Sequence, residues 1–79
     1  MEGELLPLSG MKAGGRARVV RLDTEGAMRR RLLDLGLVEG TTVECLHRSM
    51  WGDPAAYRIR GAVIALRQSD GEGILVAAI

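Results

Sequence analysis

Residues 55–67 read AAYRIRGAVIALR, and their alternation decides the fold class. Along 55–60, Tyr57 and Ile59 face one way while Arg58 and Arg60 face the other, the pattern of a strand with one dry and one wet side. Gly61 separates this run from 62–67, where Ala62, Ile64 and Leu66 oppose Val63, Ala65 and Arg67. The two runs predict an antiparallel hairpin whose core face carries Tyr57 and Ile59.

Working outward, segment 42–48 (TVECLHR) also alternates, with Val43, Cys45 and His47 on one side and Glu44, Leu46 and Arg48 on the other. Either side could be the buried one. Segment 16–22 (RARVVRL) mixes arginines with β-branched residues and reads as a strand with one wet face, and the closing run GILVAAI adds a last strand. Glycines punctuate these short apolar segments, as tight turns between strands require. One helical signal lies between the first two strands, in TEGAMRRRLLDLG, where Met28, Leu32 and Leu35 recur at helical spacing with Leu33 beside them. Thr24 is the expected N-cap, and Gly36 the left-handed residue that closes the helix. The sum is a mainly β, mostly antiparallel barrel of about five strands, with one α-helix inserted at about residues 25–35.

Seventy-nine residues make a single domain, 1–79, and a chain this short buries only about 60% of the surface of its unfolded form. With 47% hydrophobic and 27% charged residues the composition is that of a folded globular protein. The core must be aliphatic, since there is no Phe and the aromatics are Trp51 and Tyr57. Eleven basic against ten acidic residues give +1, so no overall field favours nucleic acid or an anionic membrane. The lone Cys45 excludes an internal disulfide and a multi-thiolate zinc site within one chain, which suits the cytoplasm. The opening MEGELLPLSG lacks the basic start and long apolar run of a signal peptide, and no stretch of about 18 apolar residues occurs, so membrane insertion is not expected.

Catalytic chemistry has little to work with. The one local pairing of a nucleophile with a base is Cys45 with His47, which on a regular strand point the same way. A lone cysteine in an apolar strand is more often a small buried hydrophobe, and zinc normally takes four ligands, so the expectation is no enzyme, no cofactor and no metal site. There is no GxxxxGK[ST] and no GxGxxG after a strand. Arg29, Arg30 and Arg31 invite a nucleic-acid reading, with Arg16, Arg18, Arg21, Arg58, Arg60 and Arg67 as extensions. Successive helical residues diverge by about 100°, however, and no stacking aromatics are interleaved, so nucleic-acid binding is not expected. Capture of proline-rich peptides fails on the same shortage of aromatics.

Nearly the whole chain resembles the FeoA family, the ferrous-iron transport protein A type. The matching parts are Leu8-Ser9 with a Lys12-x-Gly14 turn, the arginine-leucine helix closing at Leu35-Gly36-Leu37, then Gly40-Thr41, the Gly52-Asp53-Pro54 loop, the Arg60-Gly61 hairpin and Ala65-Leu66-Arg67. The resemblance implies an SH3-like barrel and a cytoplasmic accessory role beside the membrane GTPase-transporter FeoB in bacterial ferrous-iron uptake. The same fold closes DtxR-like metal-dependent repressors; here no helix-turn-helix precedes it, and Met1 favours the free-standing accessory. The family carries no motif-defined catalytic residues or ligand set to place on Cys45 or His47.

Docking is therefore the expected mode of action. Met50 and Trp51 lie in SMWGDP, where Gly52 and Pro54 set a turn. Trp51 either stands out as a contact or folds back over one barrel end. Arg29 and Arg30 are second contact candidates, since arginine is enriched at interfaces. Two rival functions stay open: an SH3-like nucleic-acid binder, and a direct metal sensor or carrier. Self-association through an exposed edge strand also stays open.

Overall fold

The computed structural model of the chain describes residues 4–51 and 53–79. The hairpin forms as its alternation requires: β4 (Ala55–Ile59) and β5 (Ala62–Leu66) pair antiparallel, from Ile59 opposite Ala62 to Ala55 opposite Leu66. Ala55, Tyr57 and Ile59 are buried. The turn has φ of 51° at Arg60 and 84° at Gly61, and two successive positive values are what a two-residue hairpin needs to match the strand twist.

Around this hairpin the sheet has six strands, which from β1 (5–7) run through β6 (74–78), β2 (16–22) and β3 (42–48) to β4 and β5, every neighbouring pair antiparallel. β2 (Arg16–Leu22), β3 (Thr42–Arg48) and β6 (Ile74–Ala78) are the strands expected from the sequence. The additional one is β1 (Leu5–Pro7), three residues that pair with Leu75, Val76 and Ala77 of β6. Bulges between Val19 and Arg21 and between Cys45 and His47 bend the long strands, and the sheet curls around one core.

The bulge in β3 corrects one expectation. Cys45 lies opposite Tyr57, yet His47 lies opposite Ala56 rather than Ala55, because β3 has one residue more than β4 over this stretch. The extra residue moves His47 off the Cys45 face: Cys45 is buried and His47 is exposed.

The helix α1 spans Gly26–Asp34, one residue shorter at each end than expected. Glu25, not Thr24, occupies the N-cap position, and no side chain caps the helix there. Thr24 instead lies against Gly73, whose added Cβ would collide with its Oγ1. The C-terminus ends as the sequence predicts. Gly36 has φ of 105°, its N–H donates to the Leu33 carbonyl at 3.0 Å, and Leu37 N–H donates to the Leu32 carbonyl at 3.1 Å. These are the two bonds of a Schellman motif, with Leu37 turned into the core. Leu32 is fully buried, and Met28 and Leu35 pack on the same cluster; Leu33 is half-buried outside it.

β1 and β5 are the two ends of the strand order; a 3-10 turn (Leu8–Gly10) follows β1, and a four-residue helix, α2 (Gln68–Gly71), follows β5. A Cβ on Gly71 would lie 3.1 Å from the Ser9 backbone nitrogen, so the two pieces meet closely there. Arg48 crosses from β3 to the same turn, donating from Nη2 to the Ser9 carbonyl at 2.6 Å and from Nε to the Met11 carbonyl at 2.9 Å. Beneath it the Tyr57 hydroxyl donates to the Leu8 carbonyl at 3.4 Å. The core is aliphatic apart from Tyr57, Cys45 and Met11, and among the described residues no polar or charged side chain is wholly buried in it.

Candidate functional site

The segment joining β3 to β4 carries the most exposed large apolar side chains among the described residues. Met50 is 90% exposed and Trp51 87%, so the alternative in which Trp51 folds back over the barrel does not occur. The turn expected at Gly52 lies outside the described residues. Both bases of the segment are held: Ser49 N–H donates to the Pro54 carbonyl at 3.2 Å, and Asp53 Oδ1 accepts from the Gln68 N–H at the start of α2 at 2.9 Å. A tethered loop presenting an indole and a thioether offers apolar contact area at low ordering cost.

Arg29 and Arg30 are exposed on α1. Arg29 Nη1 donates to the Leu22 carbonyl at 3.1 Å, which ties the helix to the end of β2. Beside it Leu22, Asp23, Thr24, Glu25 and Arg29 line an open cleft of about 570 Å³. Among the described residues no hydrogen bond or ion pair joins Arg29 or Arg30 to Met50 or Trp51.

Cys45 and His47 do not form a reactive pair. Burial pushes the Cys45 thiol up from its ordinary pKa, partly opposed by the Arg48 guanidinium, so at neutral pH it is a protonated core side chain. His47 is on the outside of the bulge. No group of three or more His, Cys, Asp or Glu side chains placed to hold a metal occurs among the described residues. No helix among them is long and apolar enough to cross a membrane.

Arg48 received no role from the sequence beyond its place on one side of a strand. Its tie to the 3-10 turn follows from the same bulge that turns His47 outward, and a bulge carries no composition signal in this stretch.

Comparison with known proteins places this geometry. The FeoA domain matches residues 6–78. The chain belongs to the FeoA domain family. An Fe(2+) transport protein A/Fe(2+) transporter FeoB fusion protein of Porphyromonas gingivalis is 35% identical over 72 residues, covering 91% of this chain. The chain spans 8% of that relative's length. The solution structure of Chlorobium tepidum FeoA is 40% identical, with a TM-score of 0.86 over 94% of this chain and 70% of the other. Stenotrophomonas maltophilia FeoA, a procaryotic SH3 domain protein complexed with zinc, is 27% identical with a TM-score of 0.82, over 90% of this chain and 88% of the other. This FeoA-family chain is thus mainly β with an SH3-like fold, as its resemblance implied.

Proposed function

We propose that this FeoA-family domain is a cytoplasmic, non-enzymatic accessory of bacterial ferrous-iron uptake, docking on the cytosolic face of a FeoB-type membrane transporter and modulating it. The observation that carries the reading is the exposed Met50–Trp51 pair on a loop held at both bases. In a chain with one Trp and no Phe, leaving that indole in water forgoes core stabilisation, and contact with a partner offsets it. Arg29 and Arg30 on the polar edge of α1 are the second contact. The Porphyromonas gingivalis relative, which is named as a fusion of transport protein A with transporter FeoB, supports the choice of partner. The protonated, buried Cys45 and the exposed His47 support a role without covalent chemistry.

The test is binding of purified chain to the cytosolic domain of a FeoB-type transporter. Trp51→Ala, in protein that keeps its melting temperature, is expected to weaken the complex by about tenfold. Unchanged affinity would remove the loop from the interface.

A further inference from the structure

The strand arginines fall into order once the register is known. Arg16 lies opposite Glu44 and Arg18 opposite Thr42, while Glu44 also lies opposite Arg58. Ala17, Val43 and Ile59 of the same strands point into the core, so Arg16, Arg18, Thr42, Glu44 and Arg58 share the outward face. Arg16, Thr42, Glu44, Arg58, Arg60 and Gly61 line an open groove there of about 200 Å³. The groove and Arg18 beside it thus hold four guanidinium groups and one carboxylate, in a chain whose net charge is only +1.

Arg58 Nη1 approaches Glu44 Oε1 at 3.4 Å; among the described residues Arg16, Arg18 and Arg60 engage no carboxylate. Arg60 also occupies a turn position with φ of 51°, where Asn or Gly is less strained. Its aliphatic stem lies over Gly36, whose added Cβ would fall 2.8 Å from Arg60 Cδ, and this contact positions the residue at the groove. A strained residue placed to bring a fourth cation to one rim is a feature that folding alone does not require.

We propose that the outward face of β2, β3 and β4 docks an acidic segment of a partner protein, carboxylates pairing with Arg16, Arg18, Arg58 and Arg60. This surface goes beyond the loop contact proposed above. Charge complementarity selects an anionic occupant. The central Glu44 disfavours a continuous phosphate backbone, and no aromatic side chain lines the groove to stack a base.

The experiment titrates isotope-labelled chain with a blocked octaglutamate peptide at about 20 mM salt, following backbone amide shifts. Saturable shifts centred on Arg16, Arg18, Thr42, Glu44, Arg58 and Arg60 are expected. The Arg16→Gln/Arg60→Asn double variant, which keeps at position 60 a residue tolerant of positive φ, should weaken binding about fivefold or more. Glu44→Gln should tighten it, a gain that unfolding cannot imitate. No saturable shifts, shifts elsewhere, an unaffected double variant or an unimproved Glu44→Gln would each overturn the proposal. Tighter binding of an equally charged nonathymidylate would overturn it in favour of a nucleic-acid surface.

Discussion

Arg60 lays its aliphatic stem across Gly36, so closely that a Cβ on the glycine would come within 2.8 Å of Arg60 Cδ and 3.4 Å of Ile59 Cγ2. Two residues that both have positive φ, one ending a helix and one turning a hairpin, thus meet where the end of α1 approaches the β4–β5 turn. Gly36→Ala is expected to cost about 1–2 kcal/mol, the left-handed backbone supplying most of it and displacement of the Arg60 stem the rest. Chemical denaturation of Gly36→Ala, Arg60→Gly and the double variant separates the two. The cost of Gly36→Ala should fall by about 0.5 kcal/mol when Arg60 is already glycine. Strict additivity would mean that the stem contact carries no energy.

Arg48 ties β3 to the 3-10 turn at Leu8–Gly10. Replacing it with Met keeps the stem and leaves the carbonyls of Ser9 and Met11 without their charged donor. Loss of about 2 kcal/mol is expected, since hydrogen bonds to charged groups exceed neutral ones. Hydrogen exchange should show the loss centred on residues 8–11 and 68–71, and a loss of less than about 0.5 kcal/mol would contradict the tie.

Alkaline pH should destabilise the fold. Burial raises both the Cys45 thiol above its ordinary 9.0 and the Tyr57 phenol above its ordinary 10.0, Arg48 opposing in each case. Raised folded-state values mean that the unfolded chain gives up these protons first. Stability is therefore fully present below about pH 9 and declines as pH rises through the folded values. Denaturant midpoints measured from pH 7 to pH 11 check this, and Cys45→Ala should flatten the first part of the decline. A midpoint independent of pH across that range would contradict it.

Much of this architecture was legible in the residues. The hairpin 55–67 announced itself through Tyr57 and Ile59 alternating with arginines, and the end of α1 through Gly36. Other features left no such trace. β1 is three residues ending in Pro7, too short for a period, and α2 is the polar QSDG, held by packing against the 3-10 turn rather than by an apolar stripe. His47 obeyed the alternation on paper and broke it in space, because one bulge residue reverses every side chain beyond it. Thr24 had cap chemistry, but its Oγ1 lies against Gly73 instead. The sequence offered Trp51 both an inward and an outward place; the tethered loop, with Asp53 held at α2, accompanies the outward one. The arginine groove needed the register, since its members come from three strands.

Because Trp51 is the only tryptophan, 5-fluorotryptophan labelling gives one ¹⁹F resonance that reports on the proposed contact alone. The decisive measurement follows that resonance as the unlabelled cytosolic domain of a FeoB-type transporter is added. Docking through the loop predicts that it shifts or broadens saturably, as the indole leaves water for the partner's surface. A resonance that stays where it is, while sedimentation shows the complex has formed, would contradict the account.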